Sequence, residues 1–116
     1  MAAMQFGFAL QGRGPLSKPD ILFKLAQRGD RLRYASLFVT DHVVIPVEID
    51  SAYPCSANGR VAGDWKEGYL EPLPLMAHLA ALTKRIRIGT SVLIIPYRNP
   101  VVTAKMLATM DVLSGG

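Results

Sequence analysis

Three observations on this 116-residue chain predict an α/β fold with a parallel sheet. Short apolar strands alternate with amphipathic helices, one strand is continuously apolar, and the strands run out into polar residues. The order β-α-β-α-β-α implies right-handed crossovers, in either an open doubly wound sheet or a closed (β/α) barrel. An open nucleotide-binding sheet wants Gly-x-Gly-x-x-Gly after its first strand. Here Gly12-Arg13-Gly14 is followed by Pro15 and no third glycine, which weakens that alternative.

The first strand is Met4 to Leu10, aromatic and apolar, ended by the flexible run Gln11 to Pro15. Pro19 suits a first helical position, and Leu22, Leu25, Ala26, Gly29 and Leu32 share one helical face. Ser36 to Thr40 reads as a strand buried on both faces and ends on Asp41-His42. Residues 43–70 show no sustained period and contain Pro46, Pro54, Gly59, Gly63 and Gly68, which predicts a long strand-to-helix loop. Pro72 and Pro74 open a second helix with Leu75, Met76, Leu79, Ala80 and Leu82 on its face, and Ile86 to Leu93 is the third strand. Asn99-Pro100 supplies an N-cap and a first-turn proline for a third helix, closed by Gly115.

Composition narrows the function classes. Half the residues are hydrophobic and the mean hydropathy is +0.23, as expected for a core-forming domain. The longest apolar run is far short of the ~20 residues of a membrane span, and no secretory pattern opens the chain, so a cytoplasmic protein is expected. Cys55 is the single cysteine, which rules out an internal disulfide and a thiolate metal cluster. The net charge of +4 comes from residues 72–116, where Lys84, Arg85 and Arg87 cluster at an expected helix end. Cations there meet the negative end of the helix dipole, and no aromatic interleaving suggests a nucleic-acid partner.

In either architecture ligands meet the carboxyl ends of the strands, so Gln11, Asp41-His42 and Thr90-Ser91 should share one rim. His42 can exchange a proton near neutral pH, and Asp41 can orient or bias it, although neighbouring strand residues point to opposite sides. His78, mid-helix with no ligand-type partner at helical spacing, reads as a partly buried structural residue. Cys55 lacks a nearby base and makes a poor nucleophile, and no metal site is assembled. Trp65, Tyr53 and Tyr69 either line an apolar pocket or pack the loop onto the rim.

Several segments in order, Ser36 to His42, Glu71-Pro72-Leu73, Thr83 to Val92, Pro96-Tyr97-Arg98-Asn99-Pro100 and Ala108 to Gly116, resemble the bacterial-luciferase-like monooxygenase family. The likeness is strongest to the branch of oxidoreductases dependent on coenzyme F420. It implies that residues 1–116 form the first three βα units of a single TIM (β/α)8 barrel domain, with the long loop at 43–70 and the remainder of the barrel absent. It further implies FMN or coenzyme F420 at the rim and hydride transfer involving a small organic substrate, while the composition and open strand edges lead us to expect a homo-oligomer without membrane or nucleic-acid partners. Asp41 and His42 would lie near the reactive edge, with Asp41, Thr90, Ser91 and Val92 binding the cofactor and the Ser91 to Val92 peptide cis behind the ring. An alternative reading is an inactive, self-associating fragment without catalysis of its own. The family places a glycine where this chain has Arg33, so either the turn after the first helix differs or a positive φ there costs roughly 1 kcal/mol.

Overall fold

A computed structural model describes residues 3–48, 50–54, 56–59 and 68–116. Its strands are β1 (Gly7–Leu10), β2 (Ser36–Val39) and β3 (Arg87–Thr90), and its helices are α1 (Pro19–Arg31), α2 (Pro72–Leu82) and α3 (Pro100–Ser114). Two short 3-10 turns, Pro15–Ser17 and Ile95–Tyr97, precede α1 and α3. The strands form a parallel sheet in the order β1-β2-β3, the arrangement of three successive βα units of a barrel.

The core lies between the sheet and the helices. Leu37 and Val39 of β2 meet Leu22 and Ala26 of α1 and Leu75 and Leu79 of α2, with Leu10 and Ile86 completing the cluster. Residue alternation along β2 turns Phe38 the other way, where it is 38% exposed and lies against Gly89. The expectation that this strand is buried on both faces is therefore corrected: among the described residues, the helices cover one face. Gly29 of α1 lets the Phe8 ring close in, because a Cβ there would stand 2.5 Å from Phe8 Cε1.

The helix ends follow their sequence signals. After α1, the Arg33 amide donates to the Asp30 carbonyl and the Tyr34 amide to the Gly29 carbonyl, a Schellman closure with Arg33 at φ 62°. The turn is thus kept with arginine in the left-handed position. Asn99 caps α3 by accepting from the Val101 and Val102 amides at 3.0 and 3.2 Å, and Gly115 closes it at φ 86°. Glu71 caps α2 through the Leu73 amide at 2.7 Å.

The turn from α2 into β3 is organised by Asp30. Its buried carboxylate accepts from the backbone amides of Lys84, Arg85 and Ile86 at 3.2, 2.9 and 2.9 Å. Burial alone would raise this carboxyl, but the three amides and the nearby Arg85 charge outweigh it and hold the group below its ordinary value. The Lys84, Arg85 and Arg87 cluster sits in this turn, just past the carboxyl end of α2, and at the start of β3.

Candidate functional site

The sheet register sets the rim. Leu10 pairs with Val39 and Val39 with Thr90, so the residues that follow each of these emerge together at the carboxyl ends of the strands. The Ser91 amide still donates to the Val39 carbonyl at 2.8 Å, after which the chain leaves the sheet. The Ser91 to Val92 peptide is cis. Ser91 is exposed and Val92 is 71% exposed, leaving a small hydroxyl and an apolar side chain open on the rim. The third strand, Arg87–Thr90, is shorter than the predicted Ile86 to Leu93, and the next amide engaged on this side of the rim is that of Ile94.

That amide donates to Asp41 Oδ2 at 2.7 Å. The same carboxylate takes a two-pronged grip from Arg98, whose Nη1 lies 2.6 Å from Oδ2 and Nη2 3.0 Å from Oδ1. Arg98 Nη2 also reaches Glu71 Oε1, and its Nη1 donates to the Ile94 carbonyl at 3.1 Å. The Asp41 side chain is fully buried and that of Arg98 is 9% exposed. Burial pushes the Asp41 carboxyl up, yet the Arg98 and Ile94 hydrogen bonds, with the charges of Arg98 and His42, prevail and hold it below the ordinary aspartate value. Asp41 is therefore an ionised anchor, its oxygens directed at the 94–98 turn. Three chain segments, the end of β2, the start of α2 and the turn before α3, meet on one guanidinium.

His42 takes the opposite orientation and is exposed. Its ring packs edge-on against Tyr69, with centroids 4.8 Å apart and planes at 66°. The Tyr69 hydroxyl shares a 2.7 Å hydrogen bond with Thr40 Oγ1, and the Leu70 amide donates to the Gly12 carbonyl at 3.2 Å. The end of the long loop is thereby tied to the ends of both β1 and β2. Of the two readings for Tyr69, packing the loop onto the rim is the one observed.

Comparison with known proteins fits this arrangement. The family model for luciferase-like monooxygenases matches residues 4–116. The chain belongs to the luciferase-like monooxygenase family. Among relatives of this luciferase-like chain, one uncharacterised protein of Mycobacterium tuberculosis is 32% identical over 91 residues, covering 78% of this chain and 32% of that protein. A second from the same organism is 31% identical over 83 residues, covering 72% of this chain and 29% of that protein. The crystal structure of a Streptomyces bottropensis monooxygenase superposes with a TM-score of 0.62 at 24% identity, over 96% of this chain and 30% of that one, and shows the fold. The chain spans about a third of the length of the curated relatives it matches.

Measured against the sequence reading, the luciferase-like rim collects Asp41, His42, Thr90, Ser91 and Val92 from adjacent strand ends. Arg98, Glu71 and Thr40 were not singled out, although Glu71 and Arg98 stand in segments that carry the resemblance. His78 is exposed and stacked on Phe23 at 4.3 Å, a surface ring contact where partial burial was expected. Cys55 and Trp65 lie outside the described residues, and Tyr53 is 37% exposed. Among the described residues, no group of histidine, cysteine, aspartate and glutamate is placed to hold a metal ion. No described helix is long and apolar enough to cross a membrane.

Proposed function

We propose that this chain contributes the first part of the active-site rim of a flavin- or deazaflavin-dependent oxidoreductase, with FMN or coenzyme F420 as cofactor and a small organic molecule as substrate. The observation that carries the reading is the pairing of an exposed polar ring, His42, with the exposed Ser91-Val92 segment at neighbouring strand ends. An open apolar valine suits the face of a flat aromatic ring, and an accessible imidazole suits its polar edge. The residue types present therefore fit such a group.

A bound flavin or deazaflavin supplies the hydride chemistry. The chain's own residues supply support and proton handling. Ser91 and Val92 seat the ring face, and Thr90 continues that support from the end of β3. His42 gives or takes a proton at an imidazole nitrogen. Asp41 contributes indirectly, because its oxygens are committed to Arg98 and the Ile94 amide. It positions the 94–98 turn that follows Ser91-Val92. Its assignment as a catalytic group is accordingly narrowed to positioning.

The test is His42→Ala in an intact barrel carrying residues 4–116. General acid-base catalysis contributes about 10²- to 10⁴-fold, so kcat should fall by that order while cofactor affinity holds. Unchanged turnover would remove the role.

A second reading, association of copies of the chain, is favoured by α3. Val101, Val102, Val112 and Leu113 are each more than half exposed on this helix, a large apolar surface for one element. Concentration-dependent mass in light scattering supports it, and a constant monomer mass at all concentrations opposes it.

A further inference from the structure

We propose that Tyr69 is the positioning residue for His42 and sets the direction in which the imidazole is presented at the rim. The proposal rests on the reading of His42 as the proton-handling group. An exposed histidine at a strand end is free to turn, and a proton donor that turns is rarely in line with its acceptor. Here the ring contact made by His42 among the described residues is with Tyr69.

Tyr69 is itself held from three directions. Its hydroxyl is bonded to Thr40 Oγ1 at 2.7 Å. Thr40 and His42 are two residues apart, so on an extended chain they project to the same side, and one tyrosine can hold the first and brace the second. Its ring lies on the bare backbone of Gly12, where a Cβ would come within 2.7 Å of Cε1 and 3.2 Å of Cδ1. The following residue, Leu70, ties its amide to the Gly12 carbonyl. Gly12 is thus needed for close approach, since any side chain there displaces the tyrosine. The result is a brace running from β1 through Tyr69 to His42, built from a residue 27 positions after the histidine it orients.

The experiment is proton NMR on the 116-residue chain, which contains two histidines, His42 and His78. His78 stacks on Phe23 and serves as an internal reference. Tyr69→Leu, which removes the ring, should shift the His42 Hε1 signal by more than its linewidth and leave His78 in place. Gly12→Ala should produce the same selective shift without touching either aromatic residue. Tyr69→Phe, which keeps the ring, should restore the signal most of the way to its original position. A His42 signal that stays in place in both Tyr69→Leu and Gly12→Ala overturns the proposal. So does a shift shared by both histidines, or a Tyr69→Phe spectrum no nearer the original than that of Tyr69→Leu. An unmoved signal removes the brace and leaves the proton-handling role standing, whereas full turnover by His42→Ala removes that role and leaves the brace.

Discussion

Arg98 closes on Asp41 with both prongs of its guanidinium, at 2.6 and 3.0 Å, joining residues 57 positions apart in a nearly dry setting. The same guanidinium reaches Glu71, which at once caps α2, so one cation links the rim to the helix that follows it. A planar fork suits a carboxylate in a way that a point charge cannot match.

Arg98→Lys should therefore behave as a damaging change. We expect a loss of about 1.5–3 kcal/mol for the lysine, since hydrogen bonds to charged groups are worth that much and the fork is lost. Arg98→Met should cost about 3–5 kcal/mol, because it leaves the Asp41 carboxylate buried and unpaired. Urea denaturation of the three proteins gives both values. Equal stability of all three would show that the pair contributes nothing.

Asp30 and Asp41 make the fold acid-sensitive. Both carboxyls are held below their ordinary value of 3.8 in the folded chain, so the unfolded chain binds more protons as the pH falls through that range. Their stabilisation is complete above about pH 5 and is lost as the pH drops below the usual carboxylate range. Melting temperature against pH should fall on that acid side, and Asp30→Asn should flatten the fall while lowering stability at neutral pH. A fall that is just as steep in Asp30→Asn would remove Asp30 from the account.

Arg33 offers a gain. It holds φ 62° at the Schellman position after α1, where a side chain costs about 1–2 kcal/mol. Arg33→Gly relieves that cost but adds freedom to the unfolded chain, for a net stabilisation of about 0.5–1 kcal/mol. A lower melting temperature for the glycine variant would contradict this.

The N-cap of α3 is separable from the rim. Asn99→Ala removes the acceptor for the Val101 and Val102 amides and should cost about 1 kcal/mol. His42 is remote from this change in sequence, and its NMR signal should not move. A shift at His42 equal to that of Tyr69→Leu would show that the rim responds to any loss of order.

The alternation of strands and helices was legible because its signals are local: apolar spacing in α1, Pro72 at the start of α2, and Asn99-Pro100 at the start of α3. The extent of β3 was less legible. Val92 to Ile95 is as apolar as a strand, but the Ile94 amide answers to the Asp41 carboxylate just past the end of β2, which no local pattern announces. Asp41 and His42 stood out as polar residues at the end of an apolar run. Arg98 did not, since a single cation in a turn resembles any solvated one until its partner 57 residues away is placed beside it. The division of labour between Asp41, buried and paired, and His42, exposed and braced, likewise needed Arg98 and Tyr69 in position.

The central claim is that the strand-end rim receives a flavin-type ring on Ser91-Val92. Its most direct test is to titrate an intact barrel carrying residues 4–116 with FMN and with coenzyme F420, following absorbance, alongside the Val92→Asp variant. Val92 is 71% exposed, so this change should leave the melting temperature in place. We expect saturable binding of one cofactor and at least about tenfold weaker binding by Val92→Asp, since a carboxylate would be desolvated against the ring face. Saturation by neither cofactor, or equal affinity in Val92→Asp, would contradict the account.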